Sequence, residues 1–62
     1  MRVLVAEDDW LLAAQMETWL KEEGHEVVGV AASCSAAIAL AERMRPAFAV
    51  VDYNLGGDMP RP

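Results

Sequence analysis

The chain has 62 residues, ten of them acidic and five basic, a net charge of −5 and an apolar share of 55%. That length supports at most one small domain, which buries only roughly 60% of the surface its unfolded chain exposes, so stability should be marginal. The acidic balance and the scatter of Arg2, Lys21, Arg43, Arg45 and Arg61 argue against nucleic-acid binding by this segment. No run approaches the ~18 apolar residues of a membrane span and no charged-then-apolar leader is present, so no membrane association and a cytoplasmic location are expected. One cysteine, Cys34, and one histidine, His25, provide neither an internal disulfide nor a zinc site.

In chain order the expected elements are strand, helix, strand, helix, strand. Val3-Leu4-Val5-Ala6 is an apolar run, and the first strand is placed at Arg2 to Ala6. A helix follows from about Trp10 to Glu23, with Asp9 as N-cap and Gly24 as its stop. Leu12, Met16, Trp19 and Leu20 recur at helical spacing and are expected to form a buried stripe, with Glu17, Lys21 and Glu22 facing water. The second strand spans Glu26 to about Ala31 and is Val-rich, interrupted by Gly29. Ser33 caps a second helix reaching about Met44, whose Ala37, Ile38, Ala41 and Met44 are expected against the sheet. Pro46 ends that helix, Ala47 to Val51 form the third strand, and Asn54 to Pro62, with two glycines and two prolines, is loop.

Strands alternating with helices of this length imply an α/β fold of right-handed βαβ units on a parallel sheet. If the third strand pairs with the first, the order is 2-1-3, the helices lie on opposite faces, and a topological switch point opens between strands one and three. The predicted architecture is thus a three-layer flavodoxin-like half-domain, βαβαβ. Both the first and the third apolar runs end abruptly in carboxylates, Glu7-Asp8-Asp9 and Asp52, at the sheet's carboxyl edge. Carboxylates crowded there repel one another unless a proton or a cation compensates them, and magnesium is the favoured cation because it is hard and prefers oxygen ligands.

Val3 to Asp9, then Gly24-His25-Glu26-Val27-Val28-Gly29, then Pro46 to Leu55, together with the 44-residue interval from Asp8 to Asp52 (52 − 8), resemble the first half of the receiver domain of bacterial two-component response regulators. The resemblance covers essentially the whole chain and implies that residues 1–62 are an incomplete receiver without its fourth and fifth strands. It implies that Asp52 is the phosphoacceptor, taking a phosphoryl group from a sensor histidine kinase or phosphotransfer protein. It implies further that Asp8 ligates Mg2+ directly, Glu7 through water, and Asn54 through its backbone carbonyl, with Asp52 a fourth member of the metal set. By this reading the chain is a substrate of kinases and not itself an enzyme. Complete receivers add a Ser or Thr from the fourth strand and a Lys from the fifth. The chain's one lysine, Lys21, lies about 16 Å along the first helix from its start and is no substitute. Magnesium binding is therefore expected to survive better than phosphorylation.

Simpler readings stand beside these. Glu7-Asp8-Asp9 alone is more often a solvated helix start, and it is Asp52 that reverses those odds. His25 reads as a turn residue, Trp10 as a first-turn residue lying over the site, and Cys34 as a small helix-start residue. A haloacid-dehalogenase-type phosphatase also uses a strand-end aspartate but needs a second Asp where this chain has Asn54. The remaining alternative is a non-signalling receiver fragment that self-associates, or binds another protein, through an exposed third-strand edge.

Overall fold

The computed structural model describes residues 1–52. The elements run β1 (Arg2–Ala6), α1 (Trp10–Glu22), β2 (Glu26–Ala31), α2 (Cys34–Met44) and β3 (Phe48–Val51). The three strands form one parallel sheet in the order β2-β1-β3, as the chain pattern predicts.

Strand alternation explains the layering. Successive side chains of a strand point to opposite faces. Val3 and Val5 therefore meet Leu20 of α1, with Met16, Val27 and Val50 packed around them. Leu4 points the other way and shares an apolar groove with Cys34, Ala37, Ile38 and Ala41 of α2. Central β1 pairs on both edges, is covered on both faces, and holds most of the buried core. Burying each of its Val or Leu side chains contributes about 1.5–3 kcal/mol.

The helix ends follow their capping residues. Asp9 accepts from the backbone N–H groups of Leu11 and Leu12, at 3.0 and 3.2 Å, which starts α1. Ser33 accepts from Ala36 at 3.2 Å and starts α2. Gly24, at φ 90°, turns the chain out of α1 in a conformation other residues seldom adopt. α2 stops at Met44, two residues before Pro46, and is capped by Arg45, which is left-handed at φ 47° and donates its N–H to the Ala41 carbonyl. Arg2 reaches across to the Arg45 carbonyl at 3.2 Å, so the first strand also ties down this turn. Ala47 lies just before β3, but its N–H already bonds the Arg2 carbonyl at 2.8 Å.

Packing departs from the expected stripes in two places. On α1, Ala13 and Leu20 are buried and Met16 is half-buried, whereas Leu12 is 43% and Trp19 63% exposed. The helix leans its Ala13–Leu20 line on β1 and β2, and Leu12 and Trp19 fall on its uncovered flank, because among the described residues neither helix packs over β3. Glu17, expected in water, is only partly exposed and pairs with Lys21 at 3.2 Å. On α2, Ile38 is exposed and Leu40 takes its place against the sheet, over Gly29. A Cβ on Gly29 would lie 3.1 Å from Leu40 Cδ1, so the glycine interrupting β2 is what lets α2 approach. A bulge between Val3 and Leu4 turns Gly29 to that face.

Leu4→Ala should destabilise the fold by about 2–5 kcal/mol, because Leu4 is fully enclosed. Trp19→Ala should change stability by less than about 0.5 kcal/mol. Urea denaturation of both variants checks this pairing, and a large loss in Trp19→Ala would contradict the exposed position of that side chain.

Candidate metal and phosphoacceptor site

β1 and β3 deliver carboxylates to the same place because of how their ladder ends. In the parallel register Val5 lies opposite Val50 and Ala6 opposite Val51. One step further on, Asp52 donates its backbone N–H to the Ala6 carbonyl at 2.9 Å, while Glu7 donates to Ala31 of β2 at 2.8 Å. Both ladders are thus extended past the strands, and the residues that follow them emerge together at the carboxyl edge, outside which ligands of open α/β sheets bind.

Carboxylate oxygens of Glu7, Asp8 and Asp52 all lie within 4.8 Å of one another. Their environments differ: Glu7 is buried at 4% exposure, Asp52 is half-buried and Asp8 is exposed. Glu7 also accepts the backbone N–H of Asp9 at 3.0 Å. That hydrogen bond pulls its carboxyl pKa down. Burial, hydrogen bonding to Asp8 and the charge and hydrogen bonding of Asp52 outweigh it and hold the value above the ordinary one. A carboxylate packed beside two others and withdrawn from water calls for a compensating charge. The donor set, three carboxylates and no sulfur or imidazole, fits a hard divalent ion such as Mg2+.

Three of the four residues expected in the metal set are therefore brought together. Asn54 lies outside the described residues. Asp9 is not a member of the trio; its carboxylate caps α1, as expected. Trp10 is exposed and lines a groove of about 260 Å³ beside Glu7 and Asp8, reaching to Val30 and Ala32. His25 sits at the opposite edge of the sheet, next to Glu26, which pairs with Arg2. Its Nδ1 lies 3.2 Å from the Met1 nitrogen. Chain spacing does not reveal the burial of Glu7 or its bond to Asp9, although an acidic residue directly after a fully apolar central strand is a signal for the first.

A parallel βαβαβ unit of order 2-1-3, with clustered carboxylates where its first and third strands end, is the architecture of part of a response-regulator receiver, and known proteins agree. No protein-family model matches the chain. It is 39% identical over 54 residues to the transcriptional regulatory protein PdtaR of Mycobacterium tuberculosis, in each of two strains, an alignment covering 87% of this chain and 26% of that protein. The crystal structure of the response regulator PhyR from Brucella abortus superimposes with a TM-score of 0.88 at 34% identity, covering 94% of this chain and 24% of that one. The chain is a partial receiver domain of the response regulators, and it spans about a quarter of the length of the relatives it matches.

The raised pKa of Glu7 gives a pH dependence with a definite sign. The folded state keeps the Glu7 proton to higher pH than the unfolded chain, so without a cation stability falls as pH rises from the ordinary value of 4.5 through the raised folded value. Below 4.5 this contribution is fully present. Glu7→Gln should flatten that part of the profile. Chemical denaturation of both proteins in chelator between acid and neutral pH measures the difference; parallel curves would contradict the raised value.

Proposed function

We propose that the chain is the phosphoacceptor part of a receiver domain in two-component signal transduction. In this reading Asp52 accepts a phosphoryl group from a phosphohistidine on a sensor kinase or phosphotransfer protein in the cytoplasm. The observation that carries it is the convergence of Glu7, Asp8 and Asp52 at the switch point of a receiver-like sheet.

The chemistry is a nucleophilic displacement at phosphorus. A carboxylate oxygen of Asp52 forms the new O–P bond while the P–N bond to the donor imidazole breaks, and that nitrogen leaves with the electron pair. No proton has to be removed from the nucleophile, so positioning and charge neutralisation dominate. Mg2+ held by Glu7, Asp8 and Asp52 would supply that neutralisation on the phosphoryl oxygens. Half-burial of Asp52 leaves its carboxylate accessible to a donor, and the β1–β3 ladder fixes its backbone through the N–H donated to the Ala6 carbonyl.

A small acyl phosphate and Mg2+ should label the chain in acid-stable, base-labile form, and Asp52→Asn should abolish the label. Because the fourth- and fifth-strand residues of a complete receiver are absent from residues 1–62, the extent of labelling is expected to be low, and label that persists in Asp52→Asn would overturn the phosphoacceptor role. Mg2+ alone should raise the melting temperature and change Trp10 emission, because a ligand of the folded state stabilises by mass action. Asp8→Asn should remove both effects.

A second reading, association with another copy or another protein through β3, is favoured by a separate observation. Among the described residues β3 is an edge strand, and Phe48 and Val51 are each 48% exposed on its two faces. Unpaired main-chain groups flanked by apolar side chains invite strand addition. Val50, by contrast, is half-buried against Val3 and Val5. Sedimentation should show a dimer or larger species that Phe48→Lys dissociates; a folded monomer at high concentration would remove this reading.

A further inference from the structure

We propose that Asp9 is a positioning residue for the divalent cation, acting through Glu7 and not as a ligand. The inference rests on the reading of Glu7, Asp8 and Asp52 as a cation site.

Asp9 is engaged at both of its ends. Its side-chain Oδ1 accepts from Leu11 and Leu12, and its carbonyl accepts from Ala13 at 2.9 Å as the first bond of α1. These contacts hold Asp9 at φ −87° and ψ 107°, the extended conformation of an N-cap. In that conformation its own N–H is directed at Glu7 Oε2, 3.0 Å away. Glu7 is the buried member of the trio, so its carboxylate has few water contacts to orient it. The helix cap is thereby coupled to the aim of a candidate ligand two residues earlier in the chain.

The side chain of Asp9 faces α1 and lies outside the carboxylate trio. Its contribution to the site is the direction of a backbone N–H, not its charge. Groups that orient metal ligands from behind typically alter metal affinity by about 10–100-fold when removed. Asn caps a helix about as well as Asp, whereas Ala does not, and Gly keeps most of the helix stability without supplying a side-chain acceptor. These properties separate the cap from the charge.

Isothermal titration of the chain with Mg2+ alone, beside circular dichroism without metal, tests the assignment in Asp9→Asn, Asp9→Ala and Asp9→Gly. Asp9→Asn should bind close to wild type, and Asp9→Ala and Asp9→Gly about 10-fold more weakly or worse. Should Asp9→Ala fail to fold, Asp9→Gly decides. Wild-type affinity in Asp9→Gly would overturn the positioning role, and so would a loss in Asp9→Asn as large as in Asp9→Gly, because charge would then be the cause. If wild type itself binds no Mg2+ while folded, the cation site fails and the positioning role fails with it. That outcome is distinct from wild-type binding that is indifferent to Asp9.

Discussion

Parallel pairing of β1 with β3 is the constraint on which the rest of this structure depends. Asp52 is separated from Glu7 and Asp8 by two helices and two strands, and it meets them only because Val5 lies opposite Val50 and Ala6 opposite Val51. A one-residue slip would exchange the faces of β3, taking Val50 off the Val3–Val5–Leu20 cluster and moving Asp52 away from the Ala6 carbonyl. Core packing and site assembly are therefore one specification. The apolar side chains that hold the register also set the distance between the carboxylates.

That arrangement carries an electrostatic cost. Glu7 is buried where Asp8 and Asp52 disfavour its charge, and the N–H of Asp9 offsets only part of the effect. A small chain with limited core does not place a carboxylate so without consequence for stability. Such tension is common at sites that bind cations, because the ion supplies what the protein lacks. A cation bound there, as the proposed function has it, would link the stability of the fold to occupancy of the site.

Much of this was legible in the chain. Abrupt ends of the apolar runs at Ala6 and Val51 located the strands and their carboxylates, and Asp9 and Ser33 located the starts of both helices. The order 2-1-3 rested on the supposition that the third strand pairs with the first, which the sheet bears out, and handedness then put the helices on opposite faces. What was not legible concerns which flank of a helix finds a partner. Leu12 and Trp19 have helical spacing with Met16 and Leu20, but periodicity does not say how wide the covered face is, and nothing described lies over β3 to enclose them. Ile38 and Leu40 present the same ambiguity on α2. It is resolved by Gly29, whose missing side chain admits Leu40. The bond from Asp9 to Glu7 depends on backbone geometry at a cap, which residue type alone does not convey.

The most direct measurement of the convergence is paramagnetic broadening of backbone amide resonances by substoichiometric Mn2+. With Glu7, Asp8 and Asp52 forming one site, the signals of Glu7 to Trp10 and of Asp52 should broaden together. Those of Glu22, Glu23 and Glu26, which are also acidic but lie toward the other edge of the sheet, should stay sharp. Equal broadening at both acidic regions, or loss of the Glu7–Trp10 signals with Asp52 unaffected, would contradict the account, because the strand-end carboxylates would then not share a cation.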